Sequence, residues 1–295
     1  MTHAVRWDTK NGTILLDGNG QQERVILLRR GFWDGFLPEI VGILGEDGMS
    51  IMMRNLVERV GLNGEFGDKL SFRTLIQVFD KRILPVDKAS SVIHETVTWD
   101  KDDREITVFG DTVWILQDIF TIQRFKDVLV DVLDENGANA IIRSVSRKGG
   151  LVVGETALKN YGWKNIDDAL ASQNEKVFAY TFSVAGWCRA RSAYAKGPDG
   201  EQMLVAVCDN TYESEGVTAK KPSCRILASY MEGFYKGVLS RLGDKAVECR
   251  EVTCRATGAD HCTFAFKMKD AKAAPLEWDG LAGEWQALEA QLLGQ

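Results

Sequence analysis

Histidine is scarce in this chain: three in 295 residues, at His3, His94 and His261. A Ser-His-Asp triad or a three-histidine metal site therefore lacks parts. Long apolar runs are missing as well. No stretch approaches about eighteen uninterrupted apolar residues, the length of a spanning helix, and residues 1–10 are too polar for the core of a signal peptide. The chain reads as soluble and cytoplasmic, with no membrane span. Basic charge is not in excess, since 36 Lys and Arg stand against 42 Asp and Glu for a net charge of −6. That excludes a nucleic-acid partner held by phosphate neutralisation. Cysteine is absent until position 188, and all six then follow, at 188, 208, 224, 249, 254 and 262. In a reducing cytosol such a cluster reads as metal ligands or core residues rather than disulfides.

What is present suffices for a large core. Hydrophobic residues make up 45% of the chain, which rules out a disulfide-stapled mini-protein, and the length fits two domains.

The first half contains a repeat. Residues 7–18 (WDTKNGTILLDG) resemble 99–110 (WDKDDREITVFG) at an offset of 92, and Phe36 to Leu62 aligns without gaps onto Phe125 to Leu151 at an offset of 89. Each copy opens with a strand-turn-strand signal, the turns being Asn11-Gly12 and Asp100 to Asp103. A third short run follows, Arg24 to Leu28 or Val113 to Leu116. Two helices come next, joined through residues 45–48 (GEDG) or 134–137 (DENG), where Gly48 and Gly137 are expected to supply a positive φ. Ser91 to Thr98 is expected to be a strand. Three segments result: a truncated N-terminal repeat lobe over 1–98, an elaborated domain over 99–270, and a C-terminal docking helix within 271–295, spaced by Leu281, Trp285, Leu288 and Leu292.

In the second half, Val177 to Trp187, Arg189 to Tyr194 and Met203 to Cys208 read as strands, with a turn at 196–200 (KGPDG). Pro222-Ser223 opens a helix with Ser223 as its N-cap. Cys224, Leu227, Ala228, Met231, Tyr235, Val238 and Leu242 fall on one face of it, and Gly243 closes it. Gly233 and Gly237, four apart, permit another element to approach closely. Lys245 to Cys254 and Thr263 to Lys269 read as paired strands around a loop that Gly258 can reverse.

Cys224 then stands at a helix start, Glu251 and Cys254 near a strand end, and Cys262 just past the loop. Three thiolates and one carboxylate saturate a tetrahedral zinc ion and leave no open position, the mark of a structural site. Glu251 and Cys254 are three apart and face opposite sides of a regular strand, so the reading requires the strand to end or bulge near Val252. Cys249 offers a four-cysteine alternative and His261 a nitrogen ligand; buried apolar cysteines are the plain alternative.

These residues carry a resemblance. Glu213-Ser214-Glu215, the run 222–237 (PSCRILASYMEGFYKG), Glu248 to Cys254 and Gly258 to Phe264 resemble the 4-vinyl reductase domain, most specifically over 205–268 and more loosely back to about 112. The opening of each repeat also resembles the sensor modules of phenol- and xylene-responsive transcription activators. The resemblance implies an α/β fold of the α+β kind, TRAPP-subunit-like, with helices packed on an antiparallel sheet in two related lobes. It implies a homodimer, an apolar pocket for a small aromatic or hydrocarbon ligand, and structural zinc on Cys224, Glu251, Cys254 and Cys262, which demotes Cys249. The pocket tryptophan of the phenol sensors has no counterpart before Glu213. The 25 residues beyond 270 hold no ATPase or DNA-binding segment, which sets the expectation of a stand-alone sensor or carrier. No glycine-rich dinucleotide motif follows a strand.

The leading reading is a ligand-binding module, lined by Trp114, Phe125, Phe178, Tyr180, Phe182, Trp187 and Tyr212. No catalytic residue is assigned and an enzyme is not favoured. The alternative is an enzyme or accessory subunit of aromatic or tetrapyrrole metabolism, with His94, Glu213 and Glu215 as the acid-base candidates. A third reading is a scaffold whose tail helix docks a partner protein.

Overall fold

The computed structural model describes residues 4–8, 10–18, 21–29, 31–59, 92–94, 97–100, 105–108, 112–196, 201–243, 245–270 and 282–294. The chain forms two compact units, one of residues 1–7 and 14–145, the other of 8–13 and 146–295. It is an α+β fold of antiparallel sheets with helices packed on them.

The first unit is built on a seven-stranded sheet in the order β1-β2-β3-β7-β6-β5-β4. Its strands are β1 (Ala4–Asp8), β2 (Thr13–Gly18), β3 (Gln21–Arg29), β4 (Val92–His94), β5 (Val97–Asp100), β6 (Glu105–Val108) and β7 (Thr112–Asp118). The order mirrors itself: β1-β2-β3 of one sequence copy meets β7-β6-β5 of the other. At the junction Leu27 pairs with Leu116, flanked by Val25 with Asp118 and Arg29 with Trp114. Leu27 and Leu116 are themselves 89 apart, the offset that aligns the helical halves. The two copies therefore pair through equivalent strands about a local twofold. Val25 to Leu28 are all buried, so β3 is covered on both faces. The region 91–98 holds two short paired strands rather than one, Val92 standing opposite Thr98 and His94 opposite Val97. The turn expected at Asp100 to Asp103 lies outside the described residues beyond Asp100, as does the turn expected over 197–200.

Each copy continues into an interrupted helix, α1 (Gly31–Arg59) broken at Gly45 and α2 (Ile119–Tyr161) broken at Asp134. Positive φ falls on Gly45 (69°) and Asp134 (61°), not on Gly48 and Gly137. The position is again the same in both copies. Glycine adopts this backbone without strain. Aspartate does so at a cost, offset here because its Oδ1 accepts the Asn136 and Gly137 N–H groups at 2.8 and 2.9 Å and caps the second helical segment. Gly48 and Gly137 are small for a different reason. A Cβ on either would press on Leu44 or Leu133 Cβ, at 2.7 and 3.1 Å. Phe36 and Phe125, also 89 apart, meet edge to face at 5.1 Å in this unit's core.

The second unit has a four-stranded antiparallel sheet in the order β10-β11-β9-β8, formed by β8 (Arg189–Lys196), β9 (Gln202–Asp209), β10 (Lys245–Thr253) and β11 (Cys262–Asp270). Residues 202–208 and 262–268 are buried throughout, so the central strands are covered on both faces. One face carries α4 (Arg225–Leu239), whose Tyr235 meets Phe266 at 4.9 Å. The other carries the tail helix α5 (Ala282–Leu293), which lays Trp285, Leu288 and Leu292 over Met203, Val205 and Val207. Leu281 lies outside the described residues.

Helix α4 is central rather than one-faced, with twelve of its fifteen residues buried. It ends at Leu239, and the Gly243 N–H still reaches the Leu239 carbonyl at 3.1 Å. Its approach to the last turns of α2 is backbone to backbone. A Cβ on Gly150 or Gly154 would overlap the carbonyl oxygens of Tyr230 and Phe234, and one on Gly233 or Gly237 would overlap those of Arg147 and Leu151. Two Gly-x-x-x-Gly pairs thus interlock. Arg147 also pairs with the buried Glu232 at 3.1 Å.

The segment read as a strand over Val177 to Trp187 is instead an eleven-residue π-helix, Gln173–Ser183, which follows the short α3 (Ile166–Ala171). Asn174 fixes its start to β8, accepting the Ser192 N–H at 2.6 Å and donating to the Ser192 carbonyl at 2.9 Å. Among the described residues, no helix is long and apolar enough to cross a membrane.

Candidate metal centre

The start of α4 faces the end of β10 and the beginning of β11. There the ligand atoms of Cys224, Glu251, Cys254 and Cys262 all lie within 4.8 Å of one another. Local backbone makes this possible. The β10/β11 register slips between Glu251 and Thr253, a bulge at Val252 that turns Glu251 and Cys254 to the same side. A tight turn then spans Arg255–Thr257, and Gly258 reverses the chain at φ 96°, which returns Cys262 beside Cys254. The sulfur of Cys262 stands 3.7 Å from that of Cys224 and 3.9 Å from that of Cys254.

Three of the four residues are fully buried. The Cys224 N–H donates to Glu251 Oε2 at 2.8 Å, while Glu251 Oε1 is buried with no hydrogen-bond partner. An orphaned buried carboxylate oxygen beside three sulfurs is what a metal ligand looks like without its cation. Charge distribution agrees. Burial above all pushes the Glu251 carboxyl up to about 8. Hydrogen bonds from Cys224 and then Cys262 hold the Cys254 thiol well below its ordinary range. Cys224 is raised by the bonds it makes to Cys254 and Cys262. Cys262 is pulled down by Cys224, but Cys254 and burial outweigh this and push it up to about 12. One thiolate thus accepts from two thiols beside a protonated carboxyl, and a divalent cation takes the place of those protons. The donor set fits a metal ion with tetrahedral sulfur-rich preference.

Ser223 is not the N-cap expected of it. The helix begins at Arg225 with no side-chain cap from its neighbours, and the Ser223 hydroxyl lies 3.7 Å from the Cys254 sulfur. Glu213 caps the helix instead from a distance. Its two oxygens accept the Ile226 and Leu227 N–H groups at 3.1 and 2.6 Å. Both oxygens being engaged at a helix N-terminus, Glu213 acts as a structural anion rather than an acid-base group. Glu215 is exposed, and the side chain of His94 lies outside the described residues. His261 does not join the cluster; its Nε2 bonds Glu289 of α5 at 3.0 Å. Cys249 lies outside the cluster, its N–H donating to Glu232 at 3.3 Å. Arg191 pairs with Asp209 at 3.6 Å and donates to the Leu292 carbonyl.

Four of the expected pocket aromatics come together behind α4. Phe182 stands 5.5 Å from Phe178 and 5.7 Å from Trp187, and Trp187 stands 6.0 Å from Tyr212. Tyr230 and Phe234 of α4 complete the nest, at 6.2 and 6.4 Å from Phe182. Sequence reasoning missed both, although their four-residue spacing was visible. Phe125 belongs to the first unit, where it packs on Phe36. Trp114 sits on β7 and Tyr180 on the π-helix, but their side chains lie outside the described residues.

No curated protein sequence matches this chain. Among solved structures, the phenol-responsive sensory domain of the transcription activator PoxR, determined with phenol, is similar at 18% identity and a TM-score of 0.50, over 65% of this chain and 91% of that one. A trafficking protein particle complex subunit 3 from Naegleria fowleri, covalently bound to palmitic acid, matches at 16% identity and 0.37, over 50% and 93%. An H-NOX protein from K. algicida matches at 7% and 0.42, over 84% and 100%. The PoxR likeness shows a shared fold; at TM-scores below 0.5 the other two add nothing to it. Residues 204–268 match the model of the 4-vinyl reductase domain. They run from β9 through α4 and β10 to β11 and contain all four clustered residues, so this segment of the chain is a 4-vinyl reductase domain.

Proposed function

We propose that the protein is a small-molecule-binding module, of the aromatic or hydrocarbon class, whose second unit is organised by a structural zinc ion on Cys224, Glu251, Cys254 and Cys262. The bound ion would supply cross-linking rather than chemistry, because four protein ligands saturate a tetrahedral site. The single observation supporting the ligand reading is the nest of Phe178, Phe182, Trp187, Tyr212, Tyr230 and Phe234, all but one of them under 2% exposed. It draws on three kinds of element, π-helix, loop and α4. The π-helix that carries Phe178 and Phe182 also carries Thr181, whose hydroxyl is buried without a hydrogen-bond partner. An apolar nest with an unmet polar group suits a flat apolar molecule bearing one hydroxyl or similar group. π-Helical turns are rare and concentrate at functional sites.

The test is a binding titration of the purified protein against phenol, alkylphenols and aromatic hydrocarbons, followed by tryptophan fluorescence and calorimetry. Saturable binding that weakens in Trp187→Ala and Phe182→Ala supports the reading. Absence of binding by any of them, with the protein folded and metal-loaded, overturns it.

A further inference from the structure

The loop between β9 and α4 touches the metal centre in a way its four ligands do not explain. Thr211 and Ser214 are buried, at 0% and 5% exposure, and both hydroxyls converge on one sulfur. Thr211 Oγ1 lies 3.1 Å from Cys262 Sγ and 3.9 Å from Cys224 Sγ. Ser214 Oγ lies 3.7 Å from Cys262 Sγ and bonds Thr211 Oγ1 directly. The Arg255 N–H adds a third donor to Cys262 at 3.4 Å.

The loop holds these hydroxyls in place through its other residues. The Tyr212 N–H donates to the Trp187 carbonyl at 3.0 Å, and Glu213 is fastened to the first turn of α4 by two bonds. Thr211 and Ser214 therefore project from a segment anchored between them. Chemistry then sets the direction of the chain. A metal-bound thiolate has no proton and only accepts. Thr211 must donate to Cys262, and Ser214 must donate to Thr211. Each bond polarises the next. Three thiolates and a carboxylate around a dication leave an excess of about two negative charges in a buried site, and such charge needs donors.

We infer that Thr211, backed by Ser214, is a positioning residue of the metal centre: its hydroxyl fixes the Cys262 sulfur and withdraws charge from it. The inference rests on the metal reading above. Of the three sulfurs, Cys262 has the most side-chain hydroxyls and backbone N–H groups directed at it, so its metal bond is the one this shell tunes.

The experiment uses the full chain loaded with Co2+, whose thiolate-to-metal charge-transfer bands report on the sulfurs. Thr211→Val removes the donor at nearly constant shape, Thr211→Ser retains it, and Ser214→Ala removes its support. The expected result for Thr211→Val is a charge-transfer band shifted to lower energy and a metal affinity about 10–100-fold weaker in chelator competition. Thr211→Ser should restore both, and Ser214→Ala should show the same shift to a smaller extent. A generally loosened fold would weaken binding without moving the band or being rescued by serine. Wild-type spectrum and affinity in Thr211→Val overturn the inference while leaving the metal reading intact. A wild-type protein with no charge-transfer band overturns the metal reading itself, and this inference with it.

Discussion

Gly149 and Gly150 are adjacent in α2, yet alanine at the two positions should change stability in opposite directions. In an open helix interior, glycine to alanine gains about 1 kcal/mol from backbone entropy and propensity. At Gly149 nothing opposes that gain, since an added Cβ meets only the ring edge of Tyr230 at 3.9 and 4.0 Å. At Gly150 the same methyl would overlap the Tyr230 carbonyl oxygen and stand 2.8 Å from the Phe234 nitrogen. Both are backbone atoms of α4, which no rotamer change can move aside. Relief requires the helices to separate, and overpacking of this kind costs about 1–3 kcal/mol. The two substitutions should therefore differ by about 2–4 kcal/mol, or roughly 5–15 °C in Tm for a unit of this size. Thermal and urea unfolding of Gly149→Ala and Gly150→Ala, side by side, measure this. If Gly150→Ala is as stable as Gly149→Ala, the interlocked crossing of α2 and α4 is wrong.

Two further predictions concern the start of α4 and the metal. Glu213→Ala leaves two buried N–H groups unmet and should cost about 2 kcal/mol or more in urea unfolding, with Glu213→Gln recovering part; unchanged stability would return Glu213 to the acid-base candidates. Metal binding must displace protons from Cys224, Cys262 and Glu251, given their raised positions, so affinity should fall as pH falls below about 8. With three protons competing the decline approaches about a thousandfold per pH unit, and calorimetry in buffers of different ionisation enthalpy should count their release. An affinity flat between pH 6 and 8 would contradict the cluster's protonation.

The sequence carried much of this architecture because repetition and covalent spacing survive without coordinates. The offset of 89 reappears as the Leu27–Leu116 pairing, the Gly45 and Asp134 breaks and the Phe36–Phe125 contact. The bulge at Val252 could be required in advance, since Glu251 and Cys254 share a side only if the strand skips a residue. What stayed hidden depended on tertiary partners. Val177 to Phe182 reads as a strand because β-branched and aromatic residues favour one, yet Asn174 and the aromatic nest hold this segment as a π-helix. The cap of α4 was assigned to Ser223 by proximity, whereas Glu213 supplies it across more than ten residues. Positive φ was placed at Gly48 and Gly137 because glycine is its usual bearer. Asp134 bears it instead by capping the helix that follows, and the two glycines serve close packing. Aromatic content alone could not separate Phe125 from Phe178, Phe182, Trp187 and Tyr212, because it does not say which unit a ring joins.

The central claim is that one ion is held by Cys224, Glu251, Cys254 and Cys262. The most direct measurement is elemental analysis of the purified chain joined to zinc-edge X-ray absorption. The account predicts one zinc per chain with three sulfur neighbours near 2.3 Å and one oxygen near 2.0 Å, the oxygen being lost in Glu251→Ala. A shell of four sulfurs, a nitrogen from His261, or no bound metal would contradict it.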